Sequence, residues 1–145
     1  MNATMTQQAL ASAPTPTVAG AIGVSGAPRT LLRLEGAVAM LGAALAYPAL
    51  GGRWSMFALL FLLPDLSMLG YLAGRRVGAA AYNAAHSYLG PAMLAVLGAA
   101  FGAHGLLCLA CIWTAHVGVD RLLGYGLKYG TSFGDTHLGR REGAK

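Results

Sequence analysis

Four long apolar segments alternate with short polar or glycine-rich stretches along the chain. They span approximately residues 30–50, 54–73, 79–101 and 106–127. Each is close to the roughly 20 residues that a helix needs to cross the hydrocarbon core of a bilayer. The pattern therefore predicts an all-α fold, a four-helix transmembrane bundle that occupies residues 29–128.

The composition points to the same class of protein. Of the 145 residues, 56% are hydrophobic and only 10% are charged, whereas soluble domains carry about 25% charged residues. The net charge of +5 does not indicate a nucleic-acid partner, because the lysines and arginines form no continuous patch. The sequence has no Walker loop, no dinucleotide-binding glycine fingerprint after a strand and no nucleophile elbow. The sequence therefore predicts that the main partner of the protein is the lipid bilayer.

The basic residues outside the apolar segments predict the topology. Four crossings place both termini on one side, together with the loop between the second and third segments. That side collects Arg29, Arg75, Arg76, Lys128, Arg140, Arg141 and Lys145. The other side has only Arg53, so the positive-inside rule predicts cytoplasmic termini for a multi-pass protein of the cell inner membrane.

The two ends of the chain differ from the predicted bundle in composition. Residues 1–28 are rich in Ala, Thr, Ser and Pro and carry no charge, which predicts a disordered tail. Residues 129–145 form a polar, glycine-rich C-terminal tail. It contains His137 near Asp135, and this histidine either folds back to cap a site or is solvated.

Ionisable residues inside the apolar segments are the candidates for function. Such a side chain costs roughly 2.5–3.5 kcal/mol at the centre of a membrane helix and needs a partner, water or a metal. Counted at about 1.5 Å per residue from the predicted cytoplasmic ends, Asp65, His86 and Asp120 lie roughly 10–12 Å deep. His116 lies about one turn deeper, on the same helix face as Asp120. Three segments thus place ionisable groups at one level of the membrane.

These four residues suit a divalent metal ion. Imidazole and carboxylate ligands favour Zn, Mn or Fe, so the predicted ligands are Asp65, His86, His116 and Asp120. Glu35 and Asn83 are predicted to contact those ligands from behind and to orient them.

Each member of the set also has a purely structural interpretation. Asp120 with Arg121, or Asp65 with an arginine, can form an intramembrane ion pair that only fixes packing. His86 can hydrogen-bond to Asn83 or to a carbonyl freed by Pro64, and polar residues of this kind often join helices.

Two further interpretations of the motifs are weaker. The two histidines on neighbouring helices match bis-histidine haem ligation, but the adjacent acids favour a metal ion over a porphyrin. The CxxC spacing of Cys108 and Cys111 lies in an apolar stretch with no second pair, which is more typical of core residues than of a metal or redox site.

Three stretches resemble a small bacterial membrane family catalogued as domain of unknown function 4260. They are LPDLSMLGYLAG (63–74), YNAAHSYLGP (82–91) and WTAHVGVDRLLGYGLKYGTSFGDTHLG (113–139). The resemblance covers approximately residues 31–139. It implies a membrane protein without assigning an activity.

A looser similarity links the chain to the YdjM-like membrane-bound metal-dependent hydrolases. Their LPD, THS and HxxxD elements follow one another in the same order as LPDLS, AHS and HVGVD here. Acidic and histidine residues that follow the first element in those hydrolases are replaced by Ser67 and Met68. The resemblance therefore implies a one-metal site, or a site that has lost catalysis, in place of a full dinuclear centre.

The leading hypothesis for function combines these observations. It is a metal-dependent hydrolase that acts on a lipid or amphiphilic ester at the cytoplasmic leaflet, with Arg121 or Lys128 binding an anionic head group. The alternative is a non-enzymatic membrane protein that uses the same polar residues: a transporter, a proton relay or a partner subunit. A transporter with only four spans would require a homo-oligomer.

Overall fold

A computed structural model describes residues 23–140 of the chain. Within this range, four helical segments are long and apolar enough to cross a membrane: Gly26–Ala49, Trp54–Ala73, Arg75–Phe101 and His104–Leu123. The predicted all-α, four-helix transmembrane bundle is therefore confirmed. Which side faces the cytoplasm stays a prediction, and most of the predicted N-terminal tail lies outside the described residues.

The first and fourth spans are continuous helices, whereas the second and third are interrupted. Helix α1 is Gly26–Ala49 and α5 is His104–Leu123. The second span consists of α2, Trp54–Leu60, followed by a 3₁₀ helix, Leu63–Ala73. The third consists of α3, Arg75–Ala85, and α4, Leu89–Ala100.

Proline explains where the second span changes its geometry. Pro64 has no N–H to donate to the preceding turn, so α2 ends and the chain continues from Leu63 as a 3₁₀ helix. The N–H of Asp65 donates to the carbonyl of Leu62 at 3.1 Å. A 3₁₀ run of 11 residues is unusual, since such helices rarely exceed three or four residues and often mark functional segments. Asp65 lies in its first turn.

The third span breaks immediately after His86. Pro91 is the third residue of α4, where it cannot donate a hydrogen bond to the carbonyl of Ser87 one turn earlier. The last regular bond of α3 runs from the N–H of His86 to the carbonyl of Tyr82 at 2.8 Å. The break leaves carbonyl groups around His86 without helical donors.

Small residues bring the helices close together. Helix α1 packs along α5, α3 along the 3₁₀ helix and α4 along α5. At the crossing of α1 with α5, a Cβ atom on Gly118 would lie 2.7 Å from the carbonyl oxygen of Gly36. On the opposite side of the bundle, the ring of Tyr71 covers Gly78 of α3. Close backbone approach through small residues is typical of membrane helices.

The segment Gly124–Arg140 folds back against the bundle. Gly124, at φ +88°, ends α5 in the left-handed conformation. The strands β1, Asp135–Thr136, and β2, Gly139–Arg140, then form an antiparallel hairpin. Leu138 at its tip is fully buried, so the part of the predicted polar tail that the structure describes is packed against the domain.

A buried carboxylate holds this hairpin together. Asp135 accepts a hydrogen bond from the guanidinium Nε of Arg140 at 2.7 Å and one from the hydroxyl of Thr131 at 2.8 Å. These bonds favour the ionised form and hold the pKa of Asp135 below its ordinary value. The segment is therefore fixed by polar contacts as well as by burial of Leu138.

The contact between α1 and α5 generates a stability prediction. The substitution Gly36→Leu places a side chain against Arg121 and 2.9 Å from the carbonyl of Gly118. We expect a loss of about 1–3 kcal/mol in stability, as for other overpacked contacts, and a lower apparent Tm by circular dichroism in detergent. The matched control is Gly42→Leu on the same helix, where a Cβ meets nothing within 4 Å. Equal Tm values for the two variants would contradict this account of the contact.

Candidate metal centre

The four predicted metal ligands meet at one point between three spans. Asp65 lies in the first turn of the 3₁₀ helix, His86 directly after α3, and His116 and Asp120 one turn apart on α5. We call these four residues the polar cluster. Both helix interruptions lie at the cluster, because one precedes Asp65 and the other follows His86.

His86 is the centre of the polar cluster. Its Nε2 atom lies 3.2 Å from Nε2 of His116, 3.3 Å from Oδ1 of Asp65 and 3.5 Å from Oδ2 of Asp120. Nε2 of His116 is also 3.6 Å from Oδ1 of Asp65. Asp65, His86 and His116 together offer three donor atoms that all lie within 4.8 Å of one another, and they can hold a metal ion. Asp120 lies next to this group, because its Oδ2 atom is 3.5 Å from Nε2 of His86.

The other nitrogen of His86 limits which atoms can carry a proton. Nδ1 lies 3.0 Å from the carbonyl oxygen of Tyr82, and because a carbonyl can only accept, Nδ1 is the donor. In the neutral ring, the lone pair on Nε2 then faces His116 and two carboxylate oxygens. The two carboxylate oxygens repel this lone pair, whereas Nε2 of His116 donates or accepts according to its tautomer. A proton or a cation among these atoms relieves the repulsion.

The separations also match a small coordination sphere. Ligand atoms placed tetrahedrally at about 2.0–2.1 Å from Zn²⁺ stand about 3.3 Å apart. The separations that involve His86 run from 3.2 to 3.5 Å. A ligating histidine normally donates its second nitrogen to a carbonyl or carboxylate, which is the bond from His86 to Tyr82. Nδ1 of His116, in contrast, is buried without a hydrogen-bond partner among the described residues. The separations around His86 therefore fit a metal ion of this size, while the His116 ring lacks the usual support of its second nitrogen.

The polar cluster is closed on its histidine side and open on its carboxylate side. His86 and His116 are 1% and 3% exposed. The Asp65 side chain is 34% exposed and that of Asp120 is 18% exposed. A small molecule can therefore reach the cluster at Asp65 without displacing a histidine.

Helix α5 satisfies the carbonyl groups that the break after His86 leaves free. Nε1 of Trp113 donates to the carbonyl of Ala85 at 2.5 Å. The guanidinium of Arg121 donates to the carbonyl of His86 at 3.0 Å. Such groups must find partners inside the protein, because hydrocarbon offers none. These two bonds fix the backbone that carries His86.

A stack of side chains connects His86 to the C-terminal segment. The Tyr82 ring lies parallel to the His86 ring at 3.7 Å, and its hydroxyl donates to Oδ2 of Asp120 at 3.1 Å. Nζ of Lys128 lies 4.8 Å from the centre of the Tyr82 ring and 3.3 Å from that of Phe133. The order from the cluster outward is therefore His86, Tyr82, Lys128 and Phe133.

Among the described residues, neither of the two residues predicted to orient the ligands bonds to the polar cluster. Glu35 is exposed on α1, and none of the hydrogen bonds or ion pairs among residues 23–140 joins it to the polar cluster. Asn83 bonds the backbone of Lys128 twice, accepting from its N–H at 2.6 Å and donating to its carbonyl at 2.8 Å. Asn83 thus anchors the C-terminal segment and does not bond to the proposed ligands.

The two predicted head-group residues are both buried and engaged. Arg121 is 8% exposed and bonds the carbonyl of His86, as described above. Lys128 is 7% exposed and donates from Nζ to the carbonyl of Phe133 at 3.0 Å. Within the described residues, Arg121 forms no salt bridge with Asp65 or Asp120. The role of both residues in binding a head group stays a prediction.

His137 folds back without reaching the polar cluster. Its Nδ1 atom accepts a hydrogen bond from the N–H of Leu127 at 2.8 Å, and burial lowers its pKa. His137 therefore closes the C-terminal segment onto itself.

The two cysteines of the CxxC spacing, Cys108 and Cys111, form no disulfide bond.

Sequence analysis missed Tyr82 and Trp113 as supports of the site. Tyr82 precedes His86 by four residues, the spacing that places two side chains on one helix face. The sequence alone therefore indicates that Tyr82 lies close to His86. Trp113 had no such signal, because its bond to Ala85 depends on how α5 packs across the break.

The fold and the polar cluster define a multi-pass membrane protein with a buried Asp–His–His group that can hold a metal ion. Over residues 29–141, the chain matches the family model described as Domain of unknown function (DUF4260). It therefore belongs to that family, as the three motifs predicted. No curated protein and no solved structure matches the chain.

The role of Asn83 as an anchor can be tested directly. Asn83→Ala removes both bonds to the Lys128 backbone, and we expect residues 124–140 to open more readily, by about 1–3 kcal/mol. Hydrogen exchange measured by mass spectrometry on protein in nanodiscs would report this opening. The control is Ser87→Ala, which removes only a long 3.4 Å bond to Ala84. Unchanged exchange in the Asn83 variant would refute the anchoring role.

Proposed function

We propose that the polar cluster binds a divalent metal ion and that the protein is a metal-dependent membrane hydrolase. The observation that carries the proposal is the arrangement around Nε2 of His86. This nitrogen faces one more imidazole nitrogen and two carboxylate oxygens at 3.2–3.5 Å, while Nδ1 is committed to the Tyr82 carbonyl. One cation held by Asp65, His86 and His116 satisfies their three donor atoms at once.

The members of the cluster have separate roles in this proposal. Asp65, His86 and His116 would hold the ion, since catalytic centres commonly use three protein ligands. When bound there, a divalent cation supplies Lewis-acid activation of water and of a phosphoryl or acyl oxygen. Asp120, oriented by the Tyr82 hydroxyl, accepts the proton that the water gives up. This role differs from the predicted one, in which Asp120 is a fourth ligand.

The order of the motifs supports the same chemistry. LPDLS, AHS and HVGVD follow the order found in the YdjM-like hydrolases, and their Asp65, His86 and His116 supply the three proposed ligands. Ser67 and Met68 stand where those hydrolases carry further ligands, and neither belongs to the Asp–His–His group. We therefore propose a centre with one metal ion.

The location of the cluster suggests the class of substrate. Leu62, just before the 3₁₀ helix, and Leu66, in its first turns, are 61% and 59% exposed, so the chain around Asp65 lies at the surface that lipid would cover. We propose a lipid or other amphiphilic ester in the cytoplasmic leaflet of the inner membrane as the substrate. The sidedness follows from the positive-inside rule.

A proton can replace the metal ion in the alternative proposal. A protonated His86 would donate from Nε2 to Asp65 and also relieve the repulsion among the acceptors. The protein would then be a proton relay or a partner subunit with no catalytic activity. Metal analysis separates the two proposals.

The first measurement is elemental analysis of detergent-purified protein by mass spectrometry. We expect near-stoichiometric metal in the wild type and loss of the metal in His116→Ala. The affinity should fall by more than the roughly 10–100-fold that loss of an outer hydrogen-bond partner costs. The matched control is His104→Ala, because His104 is exposed at the start of α5 and should leave the metal in place. A folded wild-type protein without metal, even after incubation with Zn²⁺ or Mn²⁺, would exclude the metal-dependent reaction.

The variant Asp120→Asn tests the division of roles within the cluster. It keeps the shape of the side chain but removes the proposed proton acceptor, so we expect metal to remain bound while hydrolysis of phospholipid esters and phosphoesters is lost. Loss of the metal itself would instead support the four-ligand prediction. Metal binding without hydrolysis of any ester in the wild-type protein would favour a non-enzymatic role.

A further inference from the structure

A groove with a volume of about 210 Å³ lies beside the polar cluster. Leu60 and Leu63 line it from the second span, Ala85 from the third, and Leu109, Ile112 and Trp113 from the fourth. All of them belong to membrane spans. Leu63 is 48% exposed, so the groove is open toward the lipid. Apart from Ser67 and the indole N–H of Trp113, its lining is apolar.

The residues of the groove are direct neighbours of the proposed ligands. Pro64 and Ala85, which both line it, precede Asp65 and His86 in the chain. Ile112 lies one turn before His116, on the same face of α5. The groove and the polar cluster therefore occupy adjacent positions between the same three spans.

Ser67 supplies a polar group inside this apolar lining. It follows Pro64 by three residues, which places the two on one face of the 3₁₀ helix. Its Oγ atom is buried and has no hydrogen-bond partner among the described residues. Burying a hydroxyl without a partner is unfavourable, so rotation of the Ser67 side chain toward an acceptor in the groove would be favourable.

The size and surroundings of the groove limit its occupant. Pockets for drug-sized ligands measure roughly 300–1,000 Å³, so about 210 Å³ suits part of one alkyl chain and is too small for a two-chain lipid. In a bilayer, alkyl chains are the molecules that surround such an opening.

We infer that the groove holds one acyl chain of the substrate and that the Ser67 hydroxyl, turned into the groove, donates to the carbonyl oxygen of its ester. The polar cluster then stands beside the bond to be cleaved. This inference rests on the proposed function for the fate of the ester, but occupation of the groove does not require the metal ion. The substrate class becomes an acyl ester that enters sideways from the bilayer.

The test uses photochemical labelling of the full-length protein in phosphatidylcholine nanodiscs. The probe is a single-chain lysophosphatidylcholine that carries a diazirine in the middle of its acyl chain, with an ether-linked analogue for comparison. Adducts are mapped by mass spectrometry. We expect them to be enriched on residues 60–67 and 109–113 relative to Val38 and Leu45 of α1, which are 70% and 75% exposed and report unspecific labelling.

Variants on two walls of the groove should abolish the enrichment. Leu109→Trp and Ala85→Leu both fill the groove, so the adducts on its lining should fall to the level on α1. The control is Leu72→Trp, at a position that is 88% exposed and outside the groove, and it should label as the wild type does. Wild-type adducts that are no more frequent in the groove than on α1 would overturn the inference.

Ser67→Ala tests the hydrogen bond to the ester. The wild type should label with the ester probe about fivefold more than with the ether probe, which is the factor that one neutral hydrogen bond supplies. The Ser67 variant should label equally with both probes, and equal labelling of the wild type would refute the role of Ser67.

His116→Ala distinguishes failure of this inference from failure of the proposed function. Groove labelling that persists in this variant, or in a wild type that holds no metal, supports an acyl-chain site independent of the metal. Groove labelling that disappears in a folded His116→Ala variant contradicts a groove that binds its chain without the metal.

Discussion

Every backbone carbonyl inside a bilayer needs a donor from the protein, and this requirement shapes the site. The second and third spans are both interrupted, and each interruption lies at a member of the polar cluster. Trp113 and Arg121 of α5 donate to the carbonyls of Ala85 and His86. The break after His86 is therefore tolerated because α5 supplies the missing donors, and the same helix carries His116 and Asp120. Bonds that stabilise the irregular backbone also bring the side chains of three spans together.

The protonation of His86 follows from this backbone. The end of α3 places the Tyr82 carbonyl 3.0 Å from Nδ1, which commits that nitrogen as a donor and turns Nε2 toward the carboxylates. The Tyr82 ring stacks on the imidazole at 3.7 Å and prevents it from rotating away. A ring held in one orientation, with its lone pair directed at the carboxylates, can hold a cation at little further entropic cost.

Much of this architecture could be predicted from the sequence. The spans follow from hydropathy, because hydrocarbon imposes a length and an apolar composition on any helix that crosses it, and the predicted 54–73 coincides with Trp54–Ala73. The convergence of Asp65, His86, His116 and Asp120 follows from their similar depth. The role of Arg121 was not predictable, since its guanidinium bonds a carbonyl 35 residues away along the chain.

The packing of the C-terminal segment against the bundle could not be predicted from the sequence either. Its apolar content is low, and it is held by single long-range contacts such as those between Asn83 and Lys128. Periodicity does not reveal bonds of this kind, because they depend on the position of α3 relative to the end of α5.

The two sides of the polar cluster differ in a way that bears on access. Toward the end of the bundle where the C-terminal segment packs, Tyr82, Lys128 and Phe133 stand in series beyond His86. Toward Asp65, the neighbouring side chains of Leu62 and Leu66 are exposed and the carboxylate is 34% exposed. A water-soluble molecule that approached from that end would have to displace a structured segment, whereas a lipid meets exposed leucine side chains at the membrane face. The closed histidine side and the open carboxylate side thus favour a reaction partner that is already in the bilayer.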